Sequence, residues 1–505
     1  MTVAIRMAVP ASVLALLAAC GGDSQSTPNP LHGAGKNSNT STDRYTLGGT
    51  VAGLSGNGLI LELNGGSDLP IEGNGAFTFS GALSRGTAYS INIKQQPAVR
   101  RELCTVTSGS GMVGTTDISN VSVKCTIAIG FVYVVDPNSE IAAYGISPGT
   151  GAPIPDGSFA IPLSGGSTPL VQVMVAAPSG NYLYVLSQQP NQISTFAIEP
   201  NHGGLTPVNA AVASGAGSVH MVMSPNGSFL FVYNIQTNSI QTVQTFTVDS
   251  ASGALTSAGT VQLPNTNCTA SVCPGGGDFA IRSDSKYLYV LTYDGTNNTT
   301  SVTPYAINPL TGGLTGGTAI TFPTNAAGTS MSIDPLGRFL YVAKAVSPDG
   351  TPDGTSQSAT VVSYILDPMT GAPAPGSSTV VANGASWMSP DPTGAYLYSV
   401  YSGCCAFYSN VLALAVDPSS GALSQSGTAV PISGSPQAAA CDPSGAFLFL
   451  GNSSAAIFSD MQSWSDLAAY AITTSGVNAG TVSLNGQGTQ FSYGTAGGVG
   501  LAIVE

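Results

Sequence analysis

Apolar residues in this chain gather in short runs, and the runs repeat. Pro178-Ser-Gly-Asn-Tyr182-Leu-Tyr-Val-Leu186 returns as Pro225-Asn-Gly-Ser-Phe229-Leu-Phe-Val-Tyr233, as Pro335-Leu-Gly-Arg-Phe339-Leu-Tyr-Val-Ala343, as Pro392-Thr-Gly-Ala-Tyr396-Leu-Tyr-Ser-Val400, and as Pro443-Ser-Gly-Ala-Phe447-Leu-Phe-Leu-Gly451. Two weaker copies make seven: Ser283-Asp-Ser-Lys-Tyr287-Leu-Tyr-Val-Leu291 lacks the Pro and Gly, and Phe131-Val-Tyr-Val-Val135 keeps only the run. A polar turn feeding an aromatic and β-branched run reads as a strand buried on both faces. Strand-only repeats about fifty residues long predict a propeller.

A second recurring element gives the same number. Ser147-Pro-Gly-Thr-Gly-Ala-Pro, Glu199-Pro-Asn-His-Gly-Gly-Leu, Asp249-Ser-Ala-Ser-Gly-Ala-Leu, Asn308-Pro-Leu-Thr-Gly-Gly-Leu, Asp367-Pro-Met-Thr-Gly-Ala-Pro, Asp417-Pro-Ser-Ser-Gly-Ala-Leu and a degenerate Thr473-Thr-Ser-Gly476 each follow a strand run. The first residue can accept backbone hydrogen bonds, Pro fixes φ, and Gly takes the left-handed position that closes a hairpin. Each turn is therefore expected to join the third and fourth strands of a blade. The first blade lacks an inner strand of its own, apart from the short Ile127-Ala128-Ile129, and Val499-Gly-Leu-Ala-Ile-Val504 has inner-strand character with no blade after it. Pairing the two would close the ring without an open edge.

The fold class predicted is all-β: a seven-bladed β-propeller over 127–505, closed by the C-terminal strand and preceded by a small β-sandwich over 45–126. Residues 20–44, rich in Gly, Ser, Asn and Pro, have little to bury and read as a disordered tether.

Composition narrows the function. Only 7% of the 505 residues are charged and the net charge is −13, so no basic face exists to neutralise a phosphate backbone, and nucleic acid is not an expected partner. Residues 1–19 read as a signal peptide, with Arg6 before an apolar stretch from Ala8 to Ala19. Leu17-Ala18-Ala19-Cys20 resembles a bacterial lipobox. That resemblance implies acylation of Cys20 and a membrane partner through the lipid anchor in the cell envelope; Gly21 next to the anchor directs it to the outer membrane, on its periplasmic or surface face, and the protein is expected to be a monomer.

The cysteines suit an oxidising compartment. Three bridges are expected: Cys104 with Cys125, Cys268 with Cys273, and the adjacent Cys404 and Cys405. Cys441 is left over and occupies the strand position of Met223, Ile281 and Ile333, as a small buried hydrophobe. No spacing suits zinc, Pro274-Gly-Gly-Gly277 leads no strand into a helix, and the loop from Ser347 to Thr355 lacks an EF-hand pattern, so no cofactor or metal is expected.

The repeat Pro-x-Gly-x-aromatic-Leu-Tyr-Val, followed by a turn of the form Asp-Pro-x-Thr-Gly-x-Leu, is similar to the seven-bladed lactonase-like propellers, which include the bacterial 6-phosphogluconolactonases and carboxymuconate cyclases. Residues 45–126 resemble the immunoglobulin-like modules that precede repeat domains in bacterial surface lipoproteins, as a binding module or a spacer. The propeller resemblance implies a channel mouth where His, Glu and Arg grip an acidic substrate. This sequence departs from that pattern. Arg282, Lys286 and Arg338 fall in turns on the opposite rim, and only Lys344 stands at the channel end of its strand. Its equivalents Asp136, Ser187, Asn234, Thr292, Tyr401 and Asn452 form a mostly neutral ring, which suits a sugar or peptide better than a phosphate.

Aligned by repeat, the inner strands carry Val173, His220, Asp278, Ser330, Trp387 and Ala438 in one position. His220, Asp278 and Ser330 on consecutive blades are the catalytic candidates, a general base with an orienting carboxylate acting through water on a lactone carbonyl. The plainer reading is a polar channel lining, because neighbouring inner strands are expected to stand too far apart for direct hydrogen bonds. Lys344, Asn234, Tyr401, Asn452, Asp136 and Trp387 are the ligand-binding candidates. His202 reads as an exposed turn residue, and His32 lies in the tether. Two functions follow: an envelope protein whose channel face and long loops bind a ligand or another envelope protein, or a lactone hydrolase.

Overall fold

The computed structural model describes residues 43–135, 140–161, 170–188, 190–236, 240–264, 278–294, 299–322, 328–345, 358–382, 385–401, 409–432, 435–453, 467–473, 480–484 and 501–504. Arg44–Glu505 form one compact unit. Among the described residues there is no α-helix. Seven sheets of the propeller follow one another along the chain, each running from an inner strand outward. In blade 2 the order is Leu170–Ala176, Tyr182–Gln188, Gln192–Ile198 and Leu205–Ala213, all antiparallel. The second strand of each blade is the recurring run, and its middle residues, such as Leu183, Tyr184, Val185 and Leu186, are fully buried. Burial on both faces is what the continuous apolar run demanded.

The ring closes on its own tail. Leu501–Val504 pairs with Phe131–Val135 and supplies the inner strand of blade 1, with Val504 opposite Phe131 and Leu501 opposite Val134. Ile127 is not part of that blade: it ends Ile118–Ile127 of the preceding module and pairs with Glu102. Inner strands contact one another in succession from blade 1 to blade 7, and Leu501–Val504 touches the inner strands of both blade 2 and blade 7.

The two recurring motifs meet between blades. A glycine at positive φ in each outer hairpin lies under the first aromatic ring of the previous blade's run: Gly203 under Phe131, Gly253 under Tyr182, Gly312 under Phe229, Gly371 under Tyr287, Gly421 under Phe339, Gly480 under Tyr396, and Gly151 under Phe447. A β-carbon on any of them would stand 2.0–2.6 Å from a ring atom. The glycine is therefore needed for close approach as well as for its φ of 65–81°. In the seventh hairpin that place belongs to Gly480, whose N–H donates to Thr473 O, rather than to Gly476, which lies outside the described residues. The aromatic at the third position of the run adds a hydrogen bond in three blades: the hydroxyls of Tyr133, Tyr184 and Tyr289 donate to the carbonyls of Gly203, Gly253 and Gly371. Asp249, Asn308, Asp367 and Asp417 each accept two backbone N–H bonds inside their own turn. These bonds favour the ionised carboxylate and hold the Asp249 and Asp367 carboxyls below their ordinary range; Asp417 is held lower first by the Ser419 and Ser420 hydroxyls and then by the backbone donors.

Residues 44–127 form two four-stranded sheets and a small two-stranded one. Leu47, Leu59, Leu61, Val121 and Val123 pack between the larger sheets. Ile118–Ile127 runs parallel to Leu47–Ala52 and antiparallel to Glu102–Thr107. Cys104 and Cys125 face each other across that last pair and are joined by a disulfide. The other two expected bridges lie outside the described residues, as does Cys20. Cys441 is a free thiol, half-buried rather than fully covered, and burial pushes it up to about 12, which keeps it unreactive.

Candidate functional site

The register of each inner hairpin places the chemistry-bearing residues. Val173, His220, Asp278, Ser330, Trp387 and Ala438 all stand opposite the fifth residue of the neighbouring run, respectively Leu186, Tyr233, Leu291, Ala343, Val400 and Gly451. They occupy one level of the inner ring. A bulge precedes His220 and Ser330 in their strands, between Ser218 and His220 and between Gly328 and Ser330, and re-aims those side chains.

His220 and Asp278 come together across blades 3 and 4. His220 Nε2 lies 3.6 Å from Asp278 Oδ1, with the two side chains 33% and 22% exposed. This is closer than inner strands were expected to bring them, yet longer than a hydrogen bond. The carboxylate is fixed from two sides: Oδ1 accepts the Phe279 N–H at 2.8 Å, and Oδ2 accepts the Met331 N–H of blade 5 at 2.6 Å. Phe279 meets the imidazole edge to face, with ring centroids 5.8 Å apart, and stands likewise against Tyr233 at 5.4 Å. Among the described residues His220 Nδ1 is buried without a hydrogen-bond partner, so Nε2, on the Asp278 side, is the nitrogen able to meet a ligand.

Burial raises the Asp278 carboxyl above its ordinary value, opposed by the His220 charge and by the two backbone donors. The side chain nonetheless keeps about a fifth of its surface accessible to solvent. Ser330 is buried on the next strand, and among the described residues no hydrogen bond joins it to His220 or Asp278. The structure thus assembles a pair rather than a triad.

The outer candidates are more enclosed than the sequence suggested. Asn234 is 3% exposed, and among the described residues its Oδ1 has no hydrogen-bond partner. Ser187 and Thr292 are buried, with Oγ facing Pro190 O at 3.4 Å and Oγ1 facing Ser301 O at 3.5 Å. Lys344 and Tyr401 are half-buried at the ends of their strands, and burial lowers the Lys344 ammonium. Trp387 is half-buried and rests against the apolar layer between blades 6 and 7. Asp136 and the side chain of Asn452 lie outside the described residues.

Arg282 and Arg338 are spent on architecture. Arg282 forms a forked ion pair with Asp284 and donates to Asp367 O and Pro368 O of blade 5. Arg338 does the same with Asp334, Gly394 O and Pro418 O. Both bind the next blade's turns, on the rim away from the channel end of Lys344. His202 departs from expectation: it is only 24% exposed and is wedged between the propeller and residues 44–127.

Comparison with known proteins agrees with this architecture. The family described as lactonase, 7-bladed beta-propeller, matches residues 174–351. None of the curated proteins compared with the chain matches it. Among solved structures it is similar to a protein of Bacteroides uniformis ATCC 8492 assigned as a 6-phosphogluconolactonase, at 17% identity and TM-score 0.55, covering 74% of this chain and 99% of that one. It is similar also to the periplasmic gluconolactonase PpgL of Pseudomonas aeruginosa, at 17% identity and TM-score 0.56, with 74% and 99% covered. A Lactobacillus plantarum protein shares 17% identity at TM-score 0.52, with 75% and 100% covered. At such identities the likeness concerns the fold, which is a lactonase-like seven-bladed propeller.

Proposed function

On this lactonase-like propeller, we propose a hydrolase for a small uncharged lactone, working at the level of His220 and Asp278 in the inner ring. One observation carries the reading: the His220 imidazole turns Nε2 toward Asp278 Oδ1 at 3.6 Å, too long for a hydrogen bond, and a third blade holds that carboxylate in place. A water molecule bound to Nε2 gives up its proton to the imidazole as its oxygen attacks the lactone carbonyl carbon. The ring C–O bond then breaks, and the alkoxide takes the proton back from the imidazolium, giving a hydroxy acid. Asp278 stabilises the transient imidazolium. An uncharged substrate suits the site because three of the propeller's four cations, Arg282, Lys286 and Arg338, are on the other rim.

The test is turnover of a lactone panel by the full chain and by His220→Ala and Asp278→Asn. Loss of activity in both supports the reading; wild-type rates in His220→Ala, or an inert wild type, overturn it. A second reading is a binding protein that uses the same channel for a ligand or an envelope partner. The missing hydrogen bond between Ser330 and the pair favours it, since no nucleophile of the chain itself is set up. Under either reading Cys20 is the proposed acylation site that ties the protein to the outer membrane. Radiolabelled palmitate incorporation that survives Cys20→Ser would refute the anchor.

A further inference from the structure

The contact between residues 44–127 and the propeller is built around one imidazole. His202 sits in the outer hairpin of blade 2, and its Nε2 lies 2.5 Å from the carbonyl oxygen of Pro97 in the preceding module. Its Nδ1 lies 3.4 Å from Glu199 Oε2. Glu199 is held in place by the N–H groups of Asn201 and His202, at 3.0 and 2.7 Å. Both neighbours of the ring are therefore acceptors. A neutral imidazole has one N–H, so either tautomer leaves one lone pair facing an oxygen. Only the imidazolium donates to both.

Around this point the polar contacts of the module centre on Arg101. The Arg101 N–H donates to Asn201 O, Arg101 Nη1 donates to Ile129 O at 2.9 Å, and the Ala128 N–H donates to Arg101 O at 2.7 Å. Arg101 takes a left-handed φ of 62° to do so. Leu103 supplies the apolar part, fully buried against the propeller's first blade and close to Gly145 and Ala128.

We propose that protonation of His202 latches residues 44–127 onto blades 1 and 2, and that its loss loosens them, so that proton concentration sets how firmly the module is fixed.

The other charged and titratable groups facing this corner act on the latch in identifiable directions. From blade 1, Asp156 is pushed up to about 7 by burial and then by Glu199, so it ionises across the neutral range and adds negative charge that favours the imidazolium. Tyr133, also of blade 1, donates to Gly203 O and is held protonated by its burial. From the module, the Arg101 guanidinium opposes the imidazolium. Glu102 is turned away, its carboxylate accepting from the Ser55 N–H, the Ser55 hydroxyl and the Gly56 N–H.

Amide hydrogen exchange of the full chain, corrected for intrinsic rates, tests the proposal on segments 97–104 and 128–131 at about pH 5.5 and about pH 8.5. Protection several-fold greater at the acid pH is expected in the wild type. His202→Gln, which keeps a single donor toward Pro97 and cannot be protonated, is expected to show low protection at both. Glu199→Gln, a second variant, should flatten the dependence as well. Protection in the wild type that does not change with pH, or a pH dependence that persists in His202→Gln, overturns the proposal.

Discussion

The ring of Phe447 in the last blade lies directly over Gly151 in the first, so near that a β-carbon there would stand 2.3 Å from Cδ1. The same contact recurs at the other six blade boundaries, and it crosses the closure of the ring as it crosses any other seam.

Substitution at these glycines should therefore cost more than its backbone conformation explains. Gly253→Ala combines a φ of 69° with a ring atom of Tyr182 at 2.6 Å, and Tyr182 cannot swing aside without losing its hydrogen bond to Ala251 O. We expect a loss of about 3 kcal/mol, from left-handed strain and overpacking together. Gly149→Ala has a φ of 75° but open space around it, and should cost only about 1 kcal/mol. Urea unfolding of the two variants separates the terms; equal losses would refute the packing role.

Arg282→Met should destabilise by about 2–3 kcal/mol. The buried guanidinium lies over the Tyr287 ring at 4.5 Å and supplies the donors for Asp367 O and Pro368 O. Asp284 is more exposed and remains hydrated after the change, so the cost falls on the two carbonyls. Arg282→Lys should recover less than half of it, because an ammonium cannot reproduce the planar fork. Denaturation midpoints of both variants check the order.

Much of this was legible from sequence, and the parts that were not share a cause. Register in a hairpin follows from local turn chemistry, so the common level of His220, Asp278 and Ser330 could be read by aligning repeats. The fold class and the closing strand followed from the same periodicity. What a repeat alignment cannot show is which copy of one motif touches which copy of another. The Phe447 contact with Gly151, the His202 contact with Pro97 and the Met331 donor to Asp278 all join segments that no local pattern links. The glycine of the outer turn was readable as a hairpin residue, but its second role under an aromatic ring was not. The burial of Asn234 was missed because a strand end that looks exposed along the chain lies against Gly215, in the segment that joins blades 2 and 3.

Asp278 should make stability fall as pH rises. Its folded carboxyl is raised above the ordinary value, so its favourable contribution is complete below that value and is lost as pH climbs through the folded one. Asp278→Asn should gain on the wild type from acid to neutral pH. Chemical denaturation across that range gives the slope; a wild type that gains on the variant with rising pH would show the carboxylate to be stabilised instead.

Ser330→Ala should change lactone turnover less than about threefold, whereas His220→Ala should lower it by about 10²–10⁴, the usual worth of a general base. Steady-state rates on one responsive lactone decide between a pair and a triad. A Ser330→Ala loss as large as that of His220→Ala would restore the hydroxyl to the chemistry.

Blade 1 is begun at Phe131 and finished only at Val504. During synthesis its edge must wait, with Phe131–Val135 lacking its inner neighbour until nearly the whole toroid has been made. That ordering makes the late stage of biogenesis the vulnerable one: a strand template stands uncovered while the rest of the chain arrives, and a partner that shields it would act on assembly without touching the mature surface.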